Sequence, residues 1–177
     1  MKKEQFEHTI RAAGAILGVN EVLVIGSQAI HASIGFDLPE VTRSIEVDVS
    51  ALDDEDGNKA DLIDGSIGEL SMFQNTFGYY AQGVTPATAR LPTGWRTRLL
   101  RYRSPNTNGV TAYCLEPHDL WISKAIAGRD KDREYCQALL EQGVVKPKTL
   151  LSRLANVDDL SDAIAERVKA SILSGAV

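Results

Sequence analysis

Cysteine is scarce: Cys114 and Cys136 are the only two in 177 residues. That excludes a disulfide framework, and their spacing fits no metal-ligand motif. No repeat, low-complexity tract or Pro/Gly/Ser-rich linker divides the chain. Also missing is any run near 18 uncharged apolar residues, which excludes a membrane-spanning helix. The first ten residues, MKKEQFEHTI, hold two lysines and no apolar stretch. No secretory leader is therefore expected, and cytoplasmic residence is the default expectation. Positive charge is in deficit: 19 Lys and Arg face 24 Asp and Glu, a net charge of −5. This argues against a protein that coats nucleic acid generically, while leaving room for a local basic cleft. What remains is ordinary for a globular domain, 44% apolar and 24% charged, long enough to bury a core of its own.

Periodicity supplies the elements. Residues 3–17 read as an amphipathic helix, with Phe6, Ile10, Ala13 and Leu17 at helical spacing. The run Val22-Leu23-Val24-Ile25-Gly26 reads as a buried strand. Ser27 is expected to cap a short helix reaching Ile34, and Asp37-Leu38-Pro39 to break it. From Ser44 to Val49 the pattern alternates, a half-buried strand with Ser44, Glu46 and Asp48 on one side. An acidic turn, Asp53-Asp54-Glu55-Asp56-Gly57-Asn58, precedes a short helix near 59–63. Residues 78–84, 95–103 and 110–115 read as strands, the last two joined by the turn Pro105-Asn106-Thr107-Asn108-Gly109. Pro117 opens a helical region to Gln142, interrupted at Gly128. Helices over 148–155 and 159–173 complete a mixed α+β core followed by a helical tail.

Two stretches carry chemistry. Gly26-Ser27 lies between a strand and a helix, where a glycine allows close approach of a ligand and a hydroxyl with free N–H groups suits a phosphate. Read alone, such a turn is more often just a helix cap. Glu46 and Asp48 project from one strand face, where two carboxylates repel unless a cation lies between them. Mg²⁺ takes hard oxygen ligands and one or two protein carboxylates beside substrate phosphates. The alternative is a solvated face of an edge strand.

Taken together, a Gly-Ser turn followed about 20 residues later by acid-x-acid on a strand resembles the nucleotidyltransferase superfamily of the DNA polymerase β type. Glu46 stands where an Asp is usual. Ser123-Lys124-Ala125-Ile126-Ala127-Gly128-Arg129-Asp130-Lys131-Asp132 is similar to the Lys…Arg-x-Lys-Asp helix of a bacterial branch. That branch contains abortive-infection and type IV-like toxins and uncharacterised relatives. The resemblance spans about residues 20–143. It implies an α+β nucleotidyltransferase-like fold, a small mixed β-sheet flanked by helices with a helical C-terminal part. Residues 1–116 are expected to form the core, and 117–177 a helical region packed on it as a single compact unit.

The resemblance further implies Mg²⁺-dependent transfer of a nucleoside monophosphate from a nucleoside triphosphate to an acceptor such as RNA. Glu46 and Asp48 would be metal-binding and catalytic. Gly26, Ser27, Lys124 and Arg129 would contact the nucleotide, and Asp132 would support the site beside Lys124. The third carboxylate is open: Glu116 is best placed by order, with Asp61, Asp64 and Glu69 as competitors. A toxin-like role would bring a cognate antitoxin protein as partner; no membrane partner is expected. Two other functions stay open: a catalytically silent member that binds nucleotide or a partner, and a structural or interaction protein whose acidic strand is merely solvated. Lys124 has its own alternative as an exposed helix lysine, and 129–132 as a self-paired charge cluster.

A basic segment runs from Trp95 to Tyr102-Arg103. Alternation places Arg96 and Arg98 on one strand face, and Arg101 and Arg103 extend the charge. Trp95 and Tyr102 would be available to stack on bases, so the patch could guide RNA or triphosphate; alternatively it pairs with the acidic loop 53–56. His31 reads as a hydrogen-bonded structural residue rather than a nucleotide contact. His118 reads as surface at a helix start, and Cys114 as packed in its strand.

Overall fold

A computed structural model describes residues 1–54 and 56–175; Glu55, in the expected acidic turn, lies outside the described residues. Eight α-helices and five strands are described: α1 Lys3–Leu17, β1 Glu21–Val24, α2 Pro39–Thr42, β2 Glu46–Ser50, α3 Asn58–Ile67, α4 Met72–Phe77, β3 Tyr80–Gly83, β4 Leu100–Tyr102, β5 Thr111–Cys114, α5 Pro117–Ala127, α6 Asp130–Glu141, α7 Pro147–Leu154 and α8 Asp162–Ser174. The chain divides into two compact units. One joins Met1–Thr88 to Leu99–Leu115, and the other joins Ala89–Arg98 to the stretch from Glu116 onward. Among the described residues no helix is long and apolar enough to cross a membrane.

The first unit is built on a mixed five-stranded sheet in the order β3-β2-β1-β5-β4. β1 runs antiparallel to β2 and parallel to β5; β2 and β3 are parallel, β4 and β5 antiparallel. Register sorts the side chains onto two faces. Val22, Val24, Val47, Val49, Ala81, Tyr102, Ala112 and Cys114 are buried and share one face. Helices α1 and α3 pack on the sheet, and Phe6 of α1 meets the Tyr102 ring edge-on at 5.4 Å. Beneath α1, the buried Glu7 carboxylate accepts hydrogen bonds from the Tyr102 hydroxyl and, at 2.8 Å, from Asn106 Nδ2. The opposite face carries Glu46, Asp48, Tyr80, Gln82, Tyr113 and Arg101, by the pairings Glu46 with Tyr80, Asp48 with Gln82 and Arg101 with Tyr113. One face is therefore sealed by helices and the other keeps its polar groups.

Local chemistry explains most boundaries, and four expectations are corrected. Gly26, not Ser27, is the N-cap residue, and the following segment Ser27–Ala32 is a 3₁₀ helix that stops short of Ile34. Of the strand expected over 95–103, only Leu100–Tyr102 forms; Trp95–Arg98 is a 3₁₀ turn. There the Arg98 guanidinium binds Asp119 and the carbonyls of Pro92 and Thr93, so side-chain bonds replace the alternation. The helix near 59–63 is longer, Asn58–Ile67, because Ala60, Ile63 and Ile67 form one buried stripe and Asp54 accepts the N–H groups of Lys59 and Ala60 at its start. The last helix begins at Asp162, since Asp159 is left-handed (φ 54°). Two short helices, α2 and α4, carry too few turns to show a period.

In the second unit the helical region breaks at Gly128, as expected. Its φ of +67° is a conformation that glycine adopts without a Cβ penalty. The unit is tied by a buried ionic triad. Asp119, fully buried, takes a bidentate pair from Arg98 Nε and Nη2 at 2.8 and 3.1 Å. Arg153 Nε approaches it at 3.2 Å without hydrogen-bond alignment. Trp121 Nε1 donates to the Cys136 carbonyl at 2.9 Å, joining α5 to α6.

Candidate functional site

The end of β1 and the start of β2 converge. Ile25 N–H donates to the Asp48 carbonyl at 3.3 Å, closing the antiparallel ladder beside the Gly26-Ser27 turn. The Asp48 carboxylate then lies directly against Gly26. A Cβ built on Gly26 would sit 1.5 Å from Asp48 Oδ2 and 2.4 Å from Cγ. Gly26 has φ −93°, which any residue adopts, so the glycine is required here by space alone. Turn and acid, 22 residues apart in sequence, are thus in contact. Ser27 follows as the first residue of the 3₁₀ turn.

Two residues along β2, Glu46 accepts a hydrogen bond from the Tyr80 hydroxyl at 3.0 Å. Glu46, Asp64, Glu69, Tyr80 and Gln82 line a cleft of about 380 Å³. Its character is acidic: the Tyr80 phenol is pushed up to about 12, by burial first, then by its bond to Glu46 and the charges of Glu46, Glu69 and Asp48. A phenol so placed stays protonated and is a permanent donor that orients Glu46. Asp64 is anchored, accepting from Gly83 N–H at 2.6 Å.

The competitors for a third carboxylate separate clearly. Asp64 and Glu69 share the cleft with Glu46. Glu116 instead caps α5 in the helical unit, taking the His118 N–H at 3.1 Å and facing His118 Nδ1 at 2.6 Å. Asp61 is exposed on the first turn of α3. Nothing in the sequence couples Asp64 or Glu69 to β2, because their placement depends on where α3 packs. Among the described residues, no group of three or more His, Cys, Asp or Glu could hold a metal ion by itself. The carboxylates of Glu46 and Asp48, hard oxygen donors on one strand face, do fit Mg²⁺ of the kind completed by water and substrate phosphates.

In the helical unit the singled-out residues of 124–132 form one cluster. Lys124 Nζ donates to Asp132 Oδ1 at 3.0 Å, and Arg129 Nε to Asp132 Oδ2 at 2.6 Å. The Lys124 ammonium also lies 4.8 Å from the centroid of the Tyr135 ring. Burial raises the Asp132 carboxyl, but the hydrogen bonds and charges of Arg129 and Lys124 outweigh it and hold the group below the usual carboxylate range. Asp132 is fully buried, Lys124 is largely covered, and Arg129 exposes 62% of its side chain. The left-handed Gly128 brings the last turn of α5 and the first of α6 to the same carboxylate.

His31, His118 and Arg96 are engaged in local contacts. His31 is buried, with Nε2 at 3.1 Å from Gln28 Oε1 and 3.2 Å from the Met1 carbonyl. His118 is half-buried, and its Nε2 accepts the Lys146 N–H at 2.9 Å. Arg96 stacks on Trp95 at 4.6 Å. The buried Asp119 triad leaves no signal in the sequence, because the alternation of 95–103 places Arg98 on a strand face.

No curated protein and no solved structure matches the chain. A family model matches residues 5–174, spanning the Gly-Ser turn, the acidic strand and the Lys124–Asp132 corner. The chain belongs to that family, described as nucleotidyltransferase of unknown function (DUF6036).

Proposed function

We propose that the protein transfers a nucleoside monophosphate from a nucleoside triphosphate to an acceptor hydroxyl, using the polar face of β2 and the adjoining turn. The observation that carries this reading is the contact of Asp48 with Gly26, which brings a phosphate-compatible turn against the strand acids. In such a transfer the acceptor oxygen bonds to the α-phosphorus, the bond to the β-phosphate breaks, and pyrophosphate leaves. Glu46 and Asp48 would hold Mg²⁺, which when bound neutralises triphosphate charge and aligns it for in-line attack. Ser27 would donate its hydroxyl to a terminal phosphate oxygen, and the bare Gly26 lets the Asp48 carboxylate lie against the turn. Tyr80 holds Glu46 in place.

Roles for Lys124 and Arg129 as nucleotide contacts, with Asp132 behind them, rest on the family resemblance. The acceptor RNA, the toxin-like role and a cognate antitoxin rest on it as well. Calorimetry of Mg²⁺-ATP and Mg²⁺-GTP binding tests the metal assignment: Asp48→Ala should abolish binding, and unchanged affinity overturns the assignment. Lys124→Gln should weaken nucleotide binding if the lysine meets phosphate, and should lower only stability if it serves Asp132 alone.

A second reading, a catalytically silent nucleotide-binding member, is favoured by one observation. Among the described residues no third acid completes a metal-holding group with Glu46 and Asp48. Incubation with each labelled triphosphate and total cellular RNA separates the two, since only the transferase yields a labelled product.

A further inference from the structure

The polar face of the sheet has a second charged feature, far from the Gly26 turn. Arg101 on β4 and Arg103 just beyond it line a cleft of about 630 Å³ at the end of the sheet where β1 and β5 begin. Its other walls include Asn20, Thr111 and the segment 51–53 that follows β2. Glu21 and Asp53 also line it, and both carboxylates are already engaged. The Tyr113 hydroxyl donates to Glu21 at 3.0 Å, and the Lys59 ammonium lies 2.5 Å from Asp53. Among the described residues neither Arg101 nor Arg103 has a carboxylate partner. The cleft therefore presents two guanidinium groups without carboxylate partners, beside Asp53 paired with Lys59 and Glu21, which keeps its charge but is held by Tyr113.

Spacing and position decide what these groups suit. Residues two apart on a strand lie about 7 Å from one another, close to the separation of successive phosphates on an extended nucleic-acid strand. Tyr113 is the cross-strand neighbour of Arg101, and a ring beside paired cations is the arrangement that follows single strands. Arg101 shares its face with Glu46 and Asp48, and the order β2-β1-β5-β4 puts three strand spacings between them, about 14 Å. That is too far for both features to hold one triphosphate.

We propose that the Arg101–Arg103 cleft anchors the phosphate backbone of a single-stranded nucleic-acid acceptor whose reactive end lies at Glu46 and Asp48. This rests on the nucleotidyl-transfer reading above. The enzyme would thus act on a polynucleotide rather than on a small hydroxyl compound or a protein side chain.

The test measures binding of fluorescein-labelled single-stranded oligonucleotides of mixed sequence, one RNA and one DNA, from about 50 to 200 mM salt. Mg²⁺-ATP binding is followed in parallel by calorimetry. R101Q/R103Q should weaken oligonucleotide binding about tenfold and lower the slope of log affinity against log salt by about 1.4, two single-strand phosphate contacts. It should leave Mg²⁺-ATP affinity unchanged. R101K/R103K, which keeps both charges, should bind within a few-fold of wild type and guards against a folding defect. A preference for RNA or DNA identifies the strand. The proposal is overturned if wild type binds neither oligonucleotide, or if R101Q/R103Q binds them with wild-type affinity and salt slope. Loss of the nucleotide reading would show separately, as wild-type protein that fails to bind Mg²⁺-ATP.

Discussion

Gly26→Ala is the most direct probe of the site. The backbone at Gly26, φ −93° and ψ −168°, accommodates alanine without strain, so the whole effect is steric. The new methyl would fall 1.5 Å from Asp48 Oδ2, 2.4 Å from Cγ and 2.8 Å from Cβ. The carboxylate must swing away by well over an ångström, and it leaves the position in which it meets the turn. Overpacking of this kind costs about 1–3 kcal/mol, which for a chain of this length lowers Tm by about 2–12 °C. Mg²⁺-ATP binding should fall as far as in Asp48→Ala. In Gly26→Ala/Asp48→Ala the two shortest contacts vanish and only the Cβ contact at 2.8 Å persists. The double variant should therefore recover most of the lost stability, a coupling of about 0.5–3 kcal/mol, without recovering nucleotide binding. Gly65→Ala, in open space on α3, is the control and should be stabilising by about 0.5–1 kcal/mol. Thermal unfolding and calorimetry on the four variants and the wild type suffice. A Gly26→Ala protein with wild-type Tm and wild-type Mg²⁺-ATP affinity would refute the reasoning.

Asp119→Ala should destabilise the chain by about 1–3 kcal/mol, since it leaves two partly covered arginines without the carboxylate they share; an unchanged Tm would contradict this. Tyr80→Phe removes the donor to Glu46 and should weaken Mg²⁺-ATP binding, with no loss if Glu46 is held in another way. In wild type, ultraviolet titration should show Tyr80 ionising only near pH 12, with Tyr79, Tyr102 and Tyr135 also displaced upward by burial. Asp132, Glu7 and Glu116 are all held below the usual carboxylate range. Groups with depressed folded values stabilise fully above their unfolded values, near 4, and lose that stabilisation as pH falls through the folded ones. Urea midpoints should therefore drop below about pH 4, and Asp132→Asn should flatten that drop; an unchanged acid limb would show that Asp132 contributes little.

The elements with a clear period were legible in the sequence: α1, the acid-bearing β2, and the α5–Gly128–α6 corner. The mixed sheet with a helical C-terminal part was legible from their order. The short pieces were not, because side-chain bonds to distant residues decide them. Trp95–Arg98 abandons its strand pattern because Arg98 is drawn to Asp119, 21 residues on. Within the site, Gly26, Ser27, Glu46 and Asp48 stood out by type and spacing. The contact between Gly26 and Asp48 required the β1–β2 ladder to be known. Asp64 and Glu69 could not be ranked from sequence, since only the packing of α3 on the sheet brings them toward Glu46.

The detour of residues 89–98 has a practical consequence. The chain leaves the sheet unit after Thr88, spends ten residues in the helical unit and returns at Leu99. Neither unit is one continuous stretch, so neither can be cut out cleanly. A fragment ending at residue 116 would carry Arg98 away from the carboxylate that neutralises it, and the complementary fragment would keep Asp119 with half its counter-charge missing. Dissection of this protein is better done by point substitution than by truncation.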